Sequence, residues 1–169
     1  MPDNEKGYTL IELIVVVVLL GIFFSFTAPI FRDAVLTDDM KSATLRLMGK
    51  IQELRSNAVR KQIDHYLKFD LEKNEFWHEY TDVTAEGSEL AHDTHVEYLP
   101  RGIRFTDIWI RGNGKVMSGE TAIRFTKKGY ARQSAIHLES EDGQECTVIV
   151  NPFLPNVEVI EKYIEFEDM

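Results

Sequence analysis

The chain has 169 residues, 44% hydrophobic and 28% charged, with a formal net charge of −9 at pH 7 and one cysteine. This is the average of an ordinary globular domain with an appendage, and a single cysteine excludes an internal disulfide and a paired-thiol redox motif. The surplus of carboxylates repels nucleic-acid phosphates, so a nucleic-acid role needs a local basic patch.

The first predicted element is apolar. Between Tyr8 and Phe31 the one formal charge is Glu12, and Leu10 to Ile30 is long enough to cross a hydrocarbon core, which takes about 20 helical residues. A cleaved secretory signal fits poorly. The leading MPDNEK sets Asp3 and Glu5 against Lys6, and the best cut, after Ala28, meets Pro29 with bulky Phe26 before it. A plain anchor explains the length but not Glu12, since an acidic group at a helix centre costs about 2.5 to 3.5 kcal/mol, less near the interface.

The helix is expected to continue past the bilayer. Over Thr37 to Ile63, Leu47, Ile51, Leu54 and Ala58 form one stripe, joined by Met48, Val59 and Ile63. Lys41, Arg46, Lys50, Arg55 and Lys61 are assigned to the opposite, polar face. Thr37, Asp38 and Asp39 suit the start of this portion, because acidic groups favour a helix N-terminus.

From His65 the texture changes to short strands. Tyr66–Leu71 and Phe76–Tyr80, separated by Glu72–Glu75, read as a hairpin. The acidic stretch from Thr81 to Thr94, with Gly87 and Ser88, reads as a loop. Strands are predicted at Ile103–Ile110, Thr121–Phe125, Ser134–Glu139, Cys146–Val150 and Val157–Tyr163. Arg111–Lys115, Lys127–Gly129 and Asp142–Gly143 are the turns between them. The fold class is therefore α+β, with one long helix, a membrane half followed by an amphipathic half, packed on an antiparallel β-sheet or small β-sandwich head. Residues 32–66 carry a net +2 and residues 67–169 a net −9.

Catalytic patterns are missing from the sequence: there is no Gly-x-Ser-x-Gly and no phosphate loop. Cys146, in a predicted strand, reads as a small core residue, and Trp77 and Trp109 as core anchors. His92 and His95, flanking Asp93, have metal-ligand spacing but sit in an acidic stretch without further ligands. No catalytic residue, cofactor or metal is assigned. A basic patch of Arg101, Arg104, Arg111, Lys115, Arg124, Lys127, Lys128 and Arg132 would serve DNA only if the fold gathers them.

Lys6-Gly7-Tyr8-Thr9-Leu10-Ile11-Glu12-Leu13 and the apolar run after it resemble the class III signal of type IV pilins and type II secretion pseudopilins. The resemblance implies cleavage by a prepilin peptidase between Gly7 and Tyr8, methylation of the new Tyr8 amine, and an assembly role for Glu12 as the fifth mature residue. It also implies a helix kink or loosening at Pro29. Tyr8 replaces the commoner phenylalanine, and the leader is less basic than usual. Chemistry makes sense of Glu12, since cleavage creates a cationic amine that its carboxylate neutralises within one subunit or between neighbours.

The stretch Phe125–Ala131, then a strand, an acidic-glycine turn and Thr147–Val150, is similar to the C-terminal region of the GspH/FimT family of minor pseudopilins. Where relatives often carry a glycine between the last two strands, this chain has Asn151–Asn156. A major pseudopilin is disfavoured because no C-terminal calcium-loop pattern is found, and Glu12 argues against the atypical tip subunit that lacks it. The implied organisation is a leader over 1–7, a transmembrane half of the helix over 8–31, an amphipathic half over 32–64 and a periplasmic head over 65–169. The implied location is the bacterial inner membrane, single-pass, with assembly into a pseudopilus. The implied partners are other minor and major pseudopilins, the prepilin peptidase, the inner-membrane secretion platform and secreted cargo. The alternatives are a minor type IV pilus subunit, DNA-binding or not, and a membrane-tethered periplasmic binding module that keeps residues 1–7.

Overall fold

The computed structural model describes residues 10–82, 89–154 and 156–166, the side chains of 24–38, 82 and 89–94 excepted. Helix α1 (Leu10–Lys61) is followed by β1 (His65–Asp70), β2 (Glu75–Asp82), β3 (Glu89–Tyr98), β4 (Ile103–Ile110), β5 (Gly114–Val116), β6 (Glu120–Phe125), β7 (Ser134–Ser140), β8 (Glu145–Val150) and β9 (Val157–Ile160). The chain divides into two compact units, Met1–Thr37 and Asp38–Met169, and α1 contributes residues to both. Thr37, Asp38 and Asp39 lie inside α1, so no helix starts there and their expected capping role does not arise.

In the second unit α1 buries Met40, Ala43, Leu47, Ile51, Leu54 and Ala58, spaced by three and four residues along one face. Met48 packs at the edge of this stripe, whereas Val59 is exposed. Arg55 is a correction: the expected polar face does not hold it, and it is buried beside Leu54. The helix ends at Lys61, and the next residue, Gln62, takes a left-handed φ of 57° and donates from Nε2 to the Val59 carbonyl at 2.7 Å, satisfying one terminal acceptor.

The strands form two antiparallel sheets, β3-β2-β1-β6 and β5-β4-β7-β8-β9. The α+β class, with the helix packed on antiparallel sheets, is as the sequence implies. The β1–β2 turn is fixed by Asp70, whose Oδ1 accepts from the amides of Glu72 and Lys73, and by Asn74 at φ 54°. Asn74 also ties the two sheets together, since its Oδ1 accepts from the amide of Phe105 at 2.9 Å.

The core is shared by the helix stripe, Leu67, Phe69, Phe76, Ile123 and Phe125 of the first sheet, and Phe105, Ile108, Ile136, Leu138 and Val148 of the second. A register shift between Phe105 and Asp107 in β4 inserts one residue. Phe105 and Ile108 therefore both face inward although three positions apart.

Three expectations change. Of the stretch expected as a loop, Thr81, Asp82 and Glu89 to Thr94 are strand, paired through Tyr80 with Ala91 and Glu79 with His92, while 83–88, with Gly87 and Ser88, lie outside the described residues. β3 is an edge strand held by backbone pairing, so it needs no apolar face to announce it. Gly114 and Lys115, read as turn, begin the short β5. The last strand stops at Ile160, and residues 161–166 cross the outer face of the second sheet, where the ring of Tyr163 stacks on His137 and that of Phe166 on Trp109.

Candidate functional site

In the first unit the described side chains of α1, Leu10 to Phe23, are exposed all round the helix, from Leu10 at 76% to Phe23 at 63%. An apolar helix of this kind is at home only when something apolar surrounds it. Among the described residues no helix is long and apolar enough to cross a membrane, and the side chains of 24–31, which complete the expected span, lie outside those described. Glu12 is the acid in the first turn of α1, and its side chain is exposed. Gly7 and Tyr8 lie outside the described residues, and Pro29 falls within α1 with its side chain not described.

In the second unit a buried arginine clasps a loop. The Arg55 guanidinium donates to the carbonyls of Leu154 and Asn151, the latter at 2.5 Å, and sits 5.9 Å from the Phe125 ring centre. Burial pulls its pKa below the ordinary arginine value. The clasped loop is the Asn151–Asn156 segment that departs from the GspH/FimT pattern. Phe153 meets Tyr130 edge-on at 5.3 Å, and the turn before Tyr130 reaches α1 through Gly129. Only glycine suits that place: its φ is +83°, and a Cβ there would stand 3.1 Å from the Val59 side chain.

Two polar clusters escaped the sequence reading. His65 Nδ1 and His78 Nε2 lie 2.5 Å apart with the rings stacked, both residues buried, and His65 Nε2 has no hydrogen-bond partner among the described residues. Burial first, then His78 and Lys61, push His65 down to about 4, so at neutral pH this ring is uncharged. On the outer face of the second sheet, Asp107 Oδ1 accepts from His137 Nδ1 at 2.7 Å and Asp107 Oδ2 from the Tyr163 hydroxyl at 3.1 Å, while His137 Nε2 donates to the Ile164 carbonyl at 2.9 Å. Burial alone would raise Asp107, but the bonds from His137 and Tyr163 outweigh it and hold the carboxyl below its ordinary value. Thr147 Oγ1 completes the strap, donating to the Lys162 carbonyl and accepting from the Ile164 amide. Aspartate, histidine and tyrosine this far apart in sequence give no local signal.

The remaining candidates resolve simply. Cys146 is a core residue, with burial raising its thiol pKa. Trp109 is buried, and half-buried Trp77 donates to Glu79 Oε1 at 2.9 Å. His95 is exposed, the side chain of His92 is outside those described, and no metal-holding cluster occurs among the described residues. The cations proposed for DNA are spread over both sheets, where Arg104 pairs with Glu139, Lys115 with Glu165 and Arg124 with Asp64.

Comparison with known proteins bears on both the N-terminal segment and the head. The family model of the prokaryotic N-terminal methylation motif matches residues 2–28. No curated protein matches the chain. Two solved structures of the minor pseudopilin EpsH from the type II secretion system of Vibrio cholerae share the fold. One, 10% identical, has a TM-score of 0.54 over 72% of this chain and 95% of its own. The other, 11% identical, has a TM-score of 0.58 over 76% of this chain and 98% of its own. The chain thus carries the prokaryotic N-terminal methylation motif and shares the fold of these minor pseudopilin structures.

Proposed function

We propose that this chain is a minor pseudopilin subunit of a type II secretion pseudopilus, non-enzymatic, placed at or near the tip and touching other pseudopilins or secreted cargo. One coincidence carries the reading: the methylation motif over residues 2–28 stands at the head of a chain whose fold is that of a minor pseudopilin. Residues 1–7 are the leader, 8–31 the transmembrane half of α1, 32–64 its amphipathic half and 65–169 the periplasmic head. Prepilin peptidase cuts between Gly7 and Tyr8, and the Tyr8 amine is methylated. The exposed apolar helix from Leu10 to Phe23 then lies in the inner membrane until it enters the filament, where lipid or neighbouring helices cover it. Glu12 neutralises the new amine, its own or a neighbour's.

The mass of the intact protein extracted from membranes tests this. Loss of residues 1–7 with one methyl added at Tyr8 is the expected result. A full-length mass would sink it in favour of a tethered periplasmic module.

A further inference from the structure

Val59, Tyr130, Phe153 and Leu154 are large apolar side chains left 46%, 49%, 76% and 59% exposed. They come from the end of α1, the turn after β6 and the β8–β9 connection, and the first three line one groove of about 770 Å³, with Leu154 next to Phe153. Isolated exposed hydrophobics need no explanation, but a cluster of them suggests a surface that something covers.

This cluster is held in place. Arg55 grips the backbone on both sides of Phe153, Tyr130 abuts the Phe153 ring, and Gly129 lets the turn close on Val59. Arg55 also lines the groove and is 7% exposed, and its Nε has no hydrogen-bond partner among the described residues. Among the described residues no carboxylate pairs with Arg55, nor with Arg60 and Lys128 on the groove wall. On a chain of net charge −9 this is a basic-rimmed apolar groove with one cation below its surface. Such a site selects a ligand of opposite charge carrying an apolar anchor.

We infer that the groove docks an acidic segment of a partner protein, which seats one aromatic or large aliphatic side chain against Tyr130 and Phe153 and brings carboxylates to Arg60, Lys128 and Arg55. A concave wall with a recessed guanidinium suits a side chain entering from a peptide better than a flat lipid surface, which meets protrusions. The inference goes beyond the subunit reading and requires neither cleavage nor a filament.

The test titrates the full-length protein, in neutral detergent, into a fluorescein-labelled peptide with one phenylalanine between pairs of glutamates. Anisotropy should report a dissociation constant on the order of micromolar to tens of micromolar, as expected for a small surface. The double variant Lys128→Glu, Arg60→Glu, both sites being exposed, should weaken it by about tenfold or more. Phe153→Ser should weaken it comparably while leaving the thermal midpoint close to that of the parent. The inference is overturned by any of three results: no binding up to roughly millimolar protein, equal binding of a peptide with lysines in place of the glutamates, or full affinity in both variants. It is also overturned if micelles containing phosphatidylglycerol displace the peptide competitively, since the groove would then belong to lipid.

Discussion

The guanidinium of Arg55 lies 2.5 Å from the carbonyl oxygen of Asn151, so a helix residue holds a loop 96 positions further along the chain. Hydrogen bonds from a charged donor contribute about 1.5 to 3 kcal/mol each, and here they stand against the cost of burying the charge. Arg55→Leu keeps an apolar stem among the core residues but leaves the Asn151 and Leu154 carbonyls without their donor. It should lower stability by about 2 kcal/mol, offset in part by the lost desolvation cost. Hydrogen exchange of residues 151–156 should accelerate more than that of β7. Uniform acceleration across the head would mean that the clasp has no local role.

The His65–His78 pair gives a pH dependence with a definite sign. Folding holds His65 at about 4, whereas an unfolded histidine titrates near its ordinary value of about 6.5, so between these the unfolded chain binds the extra proton. Stability is therefore complete above about pH 6.5 and declines as pH falls toward 4, by an order of 2 kcal/mol in all. His65→Phe retains a flat ring against His78 and removes the unpartnered Nε2. Urea midpoints measured from pH 7 to pH 4 should fall less steeply for this variant than for the parent. Parallel curves would assign the acid sensitivity to other groups.

How much of this was legible follows from where each signal sits. The α1 stripe and the β1–β2 hairpin can be read because one face of each is buried, which imprints a period of 3.6 or 2 on consecutive residues. Glu89–Tyr98 carries no such imprint, because its pairing with β2 is a backbone matter and much of the strand is polar. Arg55 looks like one more cation of a polar face, since its acceptors are 96 and 99 residues away. β7 and β8 are buried on both faces because residues 161–166 cover one of them, and no local pattern foretells that strap. The Gly7–Glu12 segment is legible in another way, as part of a linear motif that depends on the order of residues and not on the fold around them.

The strap itself is anchored by Asp107, His137 and Tyr163. Tyr163→Phe deletes the phenolic donor to Asp107 Oδ2 while keeping the ring on His137, and should cost about 1 kcal/mol. His137→Ala leaves the Asp107 carboxylate buried without its main partner and should cost about 3 kcal/mol or more. In the parent, Asp107 contributes stability above the ordinary carboxylate range and loses it as pH falls through its depressed folded value, so the deficit of His137→Ala should shrink in strong acid. Trp109 reports on the strap, because Phe166 stacks on its ring at 5.0 Å. A tryptophan emission unchanged in His137→Ala under native conditions would show that the strap is held without His137, by Thr147 and its ring contacts.

Glu12 has the opposite character, an exposed acid on an apolar stretch of helix. If its task is to neutralise the amine released at Tyr8, the charge matters only after the bond following Gly7 is cut. Glu12→Ala should therefore still be cleaved, with a mature mass lacking residues 1–7, while methylation or incorporation into the pseudopilus drops sharply. Glu12→Asp should recover part of the loss, because the carboxylate survives on a shorter stem, and Glu12→Gln should not, because an amide cannot balance an amine. The expected order of assembly is parent, then Asp, then Gln and Ala together, read by cross-linking mature subunits in the membrane. Equal assembly of the parent and the Gln variant would refute charge pairing as the reason for a carboxylate at this position.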